Sequence, residues 1–185
     1  MQTSSREIAQ LNSDVLSSTQ SGPKTAGQLE AALLNLFPQN DALEWDKTGI
    51  VVGDPHAKLT GVAIALDATL EAVRIASELG ASVLLTHHPV YLGGIEEVHP
   101  YLQGRMGADS IVYEAISRGL ALMNFHTCLD ASEQALHMLP SMLNLQFNTV
   151  LQPHEHAPHK GFGSLCSLTP EEGGLTLSQL AARCV

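Results

Sequence analysis

The stretch Ser82-Val83-Leu84-Leu85-Thr86-His87-His88-Pro89-Val90 leads an apolar run directly into two adjacent histidines and a proline. Short apolar runs rich in Val and Leu are typical of buried strands, and Gly80 upstream of the run and Pro89 downstream of it favour a strand over a buried helix. The carboxyl end of such a strand is where open α/β sheets bind their ligands. The run therefore predicts a central strand with a candidate site at its end.

The paired histidines indicate a metal site, because neutral imidazole is the commonest side-chain ligand for zinc, iron and similar metals. Adjacent side chains on a regular strand point to opposite faces, so His87 and His88 serve one site only if the backbone bends there, or if the site holds two metals. Pro89 pushes His88 towards extended geometry and predicts the end of the strand. A solvated loop with two ordinary histidines is the alternative.

The composition describes an acidic chain with enough apolar residues for a packed core. Its 185 residues include 9 basic and 19 acidic side chains, for a net charge of −10, and 44% of them are hydrophobic. This balance argues against nucleic acid as the main partner, because no basic block exists to neutralise phosphates. The three cysteines are scattered without CxxC spacing and no apolar run approaches a membrane span. We therefore expect a cytoplasmic protein with no membrane partner.

Helices and strands are predicted to alternate, which is typical of an α/β fold with a mostly parallel sheet and flanking helices. Thr25 and Gln28 have capping-box spacing ahead of one helix, and Thr69 and Gly80 mark the start and stop of another. The segment 61–67 is apolar enough for a strand buried on both faces. The predicted strands are residues 50–52, residues 61–67, a strand around Leu84 and residues 120–125, and the predicted helices are residues 25–37, 69–79 and 108–118.

The predicted strand 120–125 also ends in candidate ligands, in the sequence His126-Thr127-Cys128-Leu129-Asp130. Two parallel strands that both end in such residues are the main evidence, from the residues alone, for a metal site. His126 is a ligand, a group that orients a ligand, or a packed histidine. Asp130 has Glu133 three residues on, and this spacing alone favours a helix N-cap over a ligand.

Two further carboxylates are candidates for the same site. Asp67 ends the predicted strand 61–67 at the same edge as His87, so it either lines the site or caps the next helix, and the cap is the favoured interpretation. Asp46 is either a substrate-binding or ligand-orienting group or an ordinary surface carboxylate.

A third group of histidines lies in the polar stretch 151–163, which contains His154, Glu155, His156 and His159 near two prolines. Clustered histidines suggest metal binding. No rigid element is predicted to fix their geometry, however, so a solvated loop is the favoured interpretation. We accordingly divide the chain into a loose extension (1–24), an α/β metal-binding domain (25–150), and a linker with the start of a further segment (151–185).

Four motifs occur together and in a fixed order. They are Trp45-Asp46-x-x-Gly49-x-x-Val52-Gly53-Asp54, Ala65-Leu66-Asp67-Ala68-Thr69, Thr86-His87-His88-Pro89 and His126-Thr127-x-Leu129-Asp130. In this combination, from about residue 26 to its end, the chain resembles the dinuclear-metal-centre hexameric proteins, the type 2 GTP cyclohydrolase I homologues. Cys128 stands where an Asn is usual in that family.

The resemblance implies a three-layer α/β fold, a toroidal homohexamer and two divalent metals per subunit, drawn from Zn, Fe, Mn or Mg. The metal ligands that it implies are His87, His88 and Asp130. The candidates for orienting those ligands are His126, Asp67 and Asp46. It implies a hydrolase in which metal-activated water attacks a purine nucleotide or a related substrate, and it singles out no catalytic residue. The alternative is a metal-binding scaffold or regulatory protein without turnover.

The end of the chain predicts the start of an amphipathic helix, capped by Thr176. The family has a further His and Glu ligand near its C-terminus, and no His follows Gly161 here. We therefore expect this chain to lack the family's C-terminal third, to bind metal more weakly than a full-length relative and to form the closed hexamer poorly.

Overall fold

A mixed four-stranded sheet with flanking helices and a separate β-hairpin make up the computed structural model, which describes residues 22–100, 107–169 and 173–184. The strands are β1 (Gly49–Val52), β2 (Val62–Ala65), β3 (Val83–Thr86), β4 (Ala121–Asn124), β5 (Leu145–His154) and β6 (Ala157–Leu168). The helices are α1 (Ala26–Leu36), α2 (Leu70–Glu78), α3 (Ala108–Ser117), α4 (Thr127–Asp130), α5 (Glu133–Met142) and α6 (Leu177–Ala181), with a 3-10 turn at Gln39–Asp41. Residues 1–21 of the predicted extension lie outside the described ranges.

The sheet has the strand order β1-β4-β3-β2. Strands β2, β3 and β4 are parallel to one another, as the alternating pattern predicts, and β1 pairs antiparallel with β4. The expectation of a mostly parallel sheet therefore needs one refinement, since the sheet is mixed. The antiparallel pair joins segments about seventy residues apart, for which the sequence offers no local signal.

The two faces of the sheet carry two separate apolar clusters. Leu84 and Leu122 pack with residues of α2 and α3 on one face. Their neighbours Val83, Ala121 and Met123 pack with α1 on the other face. This alternation with a period of two is the geometry of a strand that is buried on both sides. Helices thus cover both faces, and the central strands β3 and β4 lie in the middle of the core.

Strand β2 corrects one prediction, that segment 61–67 is buried on both faces. β2 stands at the end of the strand order and pairs with β3 on one side. Ile64 in its middle is 80% exposed, and Leu66 just after it is also exposed. Apolar composition alone did not distinguish this edge strand from a central one.

Helix caps account for most of the helix starts. Thr25 accepts a hydrogen bond from the backbone N–H of Gln28 at the start of α1, and Thr69 accepts one from Ala72 at the start of α2, which confirms both predictions. The cap interpretations of Asp67 and Asp130 are wrong. Thr69, and not Asp67, caps α2. Asp130 is the last residue of α4, and Ser132 caps α5 by accepting a hydrogen bond from the backbone N–H of Ala135.

The stretch 151–163 forms strands, so the prediction of a solvated loop is wrong. It contains the end of β5, a two-residue turn and the start of β6, which pair antiparallel. Its polar side chains lie mostly on exposed faces, which is why the pattern resembled a loop. The proposed division at residue 150 falls inside β5. Beyond the hairpin, Thr176 caps α6 in a capping box with Gln179, as predicted.

None of the helices within the described ranges is both long enough and apolar enough to cross a membrane.

Candidate metal centre

The parallel strands β3 and β4 bring three histidines to one edge of the sheet. His87 and His88 follow β3, and His126 follows β4 at the N-terminus of α4. Their ring centroids lie 4.8 Å, 5.0 Å and 5.5 Å apart in pairs. One ring nitrogen from each lies within 4.8 Å of the others, so the three side chains could hold one metal ion together.

Adjacent histidines meet at one site because the backbone bends as it leaves β3. Residues 87 and 88 are bends, and the Thr86 hydroxyl donates to the His88 carbonyl at 2.8 Å. The backbone N–H of His88 still donates to the Leu66 carbonyl, at 3.0 Å. The bend removes the alternation of a regular strand. A bend at this point was the condition for both rings to serve one site.

Each of the three imidazoles is held through its Nδ1 atom. The partners of Nδ1 are the Phe125 carbonyl for His87 at 3.2 Å, the Asp67 carboxylate for His88 at 2.7 Å and the Asp46 carboxylate for His126 at 3.2 Å. A carbonyl or carboxylate oxygen only accepts, so in each neutral ring Nδ1 carries the proton and donates it. Each neutral ring then carries its lone pair on Nε2, and this tautomer can bind a metal through Nε2. The donor set fits a divalent ion such as zinc or iron.

Asp46 is the most firmly held carboxylate of the site. Its side chain is fully buried and accepts from the backbone N–H of Thr127 at 2.9 Å, from the Thr127 hydroxyl, from His126 and from the backbone N–H of Lys47. Burial by itself raises the pKa of the Asp46 carboxyl, but these donors outweigh it and hold the pKa below its usual value. A permanent carboxylate at this position fixes the ring of His126.

Asp130 lies at the rim of the histidine group. Its Oδ1 atom is 3.6 Å from the Nε2 atom of His87, and the side chain is partly exposed. This separation is too long for a hydrogen bond. It is close to the ~3.4 Å between two ligand atoms of one tetrahedral metal with bonds of about 2.0–2.1 Å. The ligand role that the resemblance implies for Asp130 therefore stays a prediction, with a geometry compatible with it.

His126 occupies a more central position than its assignment as an orienting residue implied. Its ring nitrogen belongs to the same close group as those of His87 and His88. Asp67 and Asp46 each hold a histidine of that group, as an orienting residue does. The sequence motifs contained every one of these residues, but the spacing along the chain did not distinguish a ligand from its neighbour.

A second charged cluster was not found from the sequence. The buried carboxylate of Asp41 contacts Lys160 Nζ at 2.6 Å and His156 Nε2 at 3.0 Å. The ring of His154 stacks on that of His156, with centroids 5.1 Å apart. These residues lie more than 110 positions from Asp41 along the chain, so no local pattern could have paired them.

Comparison with known proteins places the chain among relatives of one kind. The sequence profile of Duf34/NIF3 (NGG1p interacting factor 3) matches residues 25–184. A Streptomyces coelicolor protein named GTP cyclohydrolase 1 type 2 homolog is 36% identical over 156 residues, which cover 82% of this chain and 52% of the relative. A Staphylococcus aureus protein of the same name is 32% identical over 102 residues, which cover 55% of this chain and 26% of the relative.

Solved structures agree on the fold. A hypothetical protein from Staphylococcus aureus has a TM-score of 0.76 at 22% identity, and the match covers 87% of this chain and 63% of that one. A Bacillus cereus protein related to NIF3 has a TM-score of 0.64 at 28% identity, covering 72% of this chain and 36% of that one. The chain spans about half the length, or less, of the curated relatives named above. Since the family profile covers nearly all of its described residues, this chain belongs to the Duf34/NIF3 family.

Proposed function

We propose that this protein is a metal-dependent hydrolase in which activated water attacks a purine nucleotide or a related ring. The observation that carries the proposal is the shared state of the three imidazoles, each fixed through Nδ1 with Nε2 left for a metal. The printed names of the curated relatives, GTP cyclohydrolase 1 type 2 homologs, support the choice of substrate class.

The chain's own residues divide the work at this centre. His87, His88 and His126 would hold the ion, and a bound divalent metal supplies Lewis acidity that activates water near neutral pH. Asp67 and Asp46 keep a proton on the Nδ1 atoms of their histidine partners and so keep Nε2 free. Asp130, at the exposed rim, completes the donor set.

Two metals per subunit and a homohexamer belong to the same proposal for the full-length proteins of this family, whereas we expect this chain to bind metal more weakly and to form the closed hexamer poorly. Three imidazoles and the carboxylate of Asp130 provide donors for one four-coordinate site, whereas two such sites need more. The further donors would come from outside this group. The metal would be Zn, Fe, Mn or Mg, and histidine-rich sites suit the first three better than Mg.

The second candidate function is a metal-binding scaffold or regulatory protein without turnover. The exposure of the site favours it: the side chains of His88 and Asp67 are both about half exposed, and so is that of Asp130. Water-filled sites strengthen electrostatic interactions less than closed ones do. Both candidates share the metal centre and differ in catalysis.

The first measurement is metal content by mass spectrometry after loading with Zn or Mn. His87→Ala and Asp130→Ala should each lower the bound metal substantially, because each removes a donor, whereas the exposed His56 is a matched control and His56→Ala should leave it unchanged. Unchanged stoichiometry in both site variants would refute the metal centre.

The second measurement separates the two functions. Loaded protein is incubated with a panel of purine nucleotides and simple phosphoesters in the presence of Mn, Fe or Zn. Turnover that is lost in His87→Ala and kept in His56→Ala supports the hydrolase. A loaded protein that turns over none of these substrates favours the scaffold.

A further inference from the structure

The one tryptophan of the chain stands exposed beside the histidine group. Trp45 is 55% exposed, and its ring lies edge-to-face with the ring of His126, with centroids 5.9 Å apart and an angle of 66° between the planes. Large aromatic side chains usually bury most of their surface, and an exposed one next to a cluster of functional groups is typical of a binding surface.

The backbone that carries Trp45 is anchored on both sides of it. The Leu43 N–H donates to the Thr127 hydroxyl at 3.0 Å, and the Asp46 carboxylate accepts from the Thr127 N–H at 2.9 Å. A turn hydrogen bond from the Asp46 N–H to the Leu43 carbonyl, at 2.9 Å, closes the segment. The residues on both sides of Trp45 are therefore held by Thr127, the residue that follows His126, so the backbone of Trp45 has a fixed position relative to the histidine group.

We propose that Trp45 is the residue on which a planar heteroaromatic ring of the substrate stacks, so that it sets the preference of this site for such rings. The inference rests on the function proposed above and adds the residue that selects the substrate class. Every nucleobase has a π-face, so an indole binds such rings with little dependence on their hydrogen-bonding edges. A ligand stacked there is next to His126, one of the three imidazoles of the candidate metal centre.

The chain is suited to a direct test, because its single tryptophan reports on its own surroundings. The probes are guanosine 5′-monophosphate, which has a ring, and ribose 5-phosphate, which does not. Both are titrated into zinc-loaded protein freed of excess zinc. We expect the first to quench the tryptophan fluorescence saturably and the second to leave it unchanged.

Variants then measure the contribution of the indole by isothermal titration calorimetry. Trp45→Leu should weaken binding of guanosine 5′-monophosphate about fivefold or more, and Trp45→Tyr should restore most of it, as expected for base–aromatic stacking. The affinities for zinc and for ribose 5-phosphate should stay within about twofold of wild type. Tyr113, an exposed aromatic on α3, provides the matched control Tyr113→Leu, which should change none of these values.

Several outcomes would overturn the inference, and they are distinguishable from failure of the proposed function. Protein that binds no zinc would refute both. Zinc-loaded protein that fails to bind the nucleotide, or whose Trp45→Leu variant binds it as tightly as wild type, would refute the inference alone. A parallel loss of zinc and nucleotide affinity in Trp45→Leu would also refute it, because Trp45 would then act by supporting His126.

Discussion

Asp46 shows how a single buried carboxylate organises the edge of the sheet. It joins the loop before β1 to the residues that follow β4, through Thr127 and His126. Four donors hold it ionised in spite of its burial, and its lowered pKa reflects that excess of hydrogen bonds. The consequence is a permanent negative charge behind His126, which fixes the orientation and the tautomer of that ring.

The first prediction concerns this residue. Asp46→Asn keeps the shape of the side chain but puts an amide N–H among groups that are themselves donors. We expect zinc affinity to fall by roughly 10–100-fold, the usual effect of losing a group that orients a ligand. We expect the free energy of unfolding to fall by roughly 1–3 kcal/mol, because a buried donor loses its acceptor. Calorimetric zinc titration and urea denaturation measure the two effects.

The exposed Asp54, whose carboxylate accepts a hydrogen bond from the nearby His56 N–H among the described contacts, gives the control Asp54→Asn. That variant should leave both quantities within error of wild type. A large loss of stability in Asp46→Asn with unchanged zinc affinity would mean that Asp46 supports the fold and not His126.

At the scale of elements, the β5–β6 hairpin is attached to the rest of the chain by an ion-pair cluster and by hydrogen bonds to α5 and to the residue before Ser132. Asp41, on the 3-10 turn, contacts Lys160 and His156 of the hairpin region. Ser164 on β6 donates to the Leu136 carbonyl of α5 at 2.7 Å. Burial by itself raises the pKa of Asp41, but the hydrogen bonds from Lys160 and His156 outweigh it and lower the pKa below its usual value.

This lowered pKa predicts how the attachment depends on pH. A carboxyl whose pKa is lower in the folded than in the unfolded state contributes stability above its unfolded pKa of about 3.9, and loses it as the pH falls through the folded value. Asp41→Asn should therefore cost roughly 1–3 kcal/mol of unfolding free energy near pH 7. The difference from wild type should shrink below about pH 4, where the wild-type carboxyl is also protonated.

Urea denaturation between pH 3 and 7 measures that difference, and hydrogen exchange locates it in β5 and β6. Glu44 is an exposed carboxylate close in sequence, and Glu44→Gln serves as the control. A stability difference between Asp41→Asn and wild type that stays constant over the whole pH range would contradict this account.

The elements also show which features the sequence could predict. Helix starts at Thr25 and Thr69 depend on local side-chain-to-backbone hydrogen bonds, so a few residues sufficed to find them. The hairpin was missed because its polar residues lie on exposed faces and its attachment through Asp41 is non-local. The cap at Ser132 was missed because Asp130 has an equally suitable spacing to Glu133, and only the geometry distinguishes the two.

At the scale of the whole molecule, the sequence could predict where in the fold the candidate site lies, but not how its side chains are arranged. Parallel strands end at one edge of a sheet, so the position of His87 and His126 at a common edge followed from the strand pattern. The bend after β3 and the Nδ1 partners of the three rings required the folded structure. The antiparallel β1 forms one edge of the sheet, and β2 forms the other edge.

The exposed edge strand β2 predicts self-association of the chain. The side chains of Val62 and Ile64 in β2, and that of Leu66 just after it, are apolar and exposed, and no charged residue or proline interrupts the strand. Such an edge presents unpaired backbone groups together with apolar side chains, and natural proteins usually cover it. A second copy of the same strand would do so, which agrees with the proposed homo-oligomer. Because the chain carries a net charge of −10, association should strengthen as salt screens the repulsion between copies.

The last prediction tests this edge with one charge. Ile64→Lys should shift the chain to smaller species in size-exclusion chromatography with light scattering, because a lysine on an edge strand opposes pairing with another edge. Leu79 provides a closely matched control: it is 79% exposed against 80% for Ile64, and it ends α2 instead of lying on a strand. Leu79→Lys changes the net charge equally, so it should preserve the wild-type distribution. Equal shifts in both variants would assign the effect to charge, and no shift in Ile64→Lys would exclude β2 from the interface.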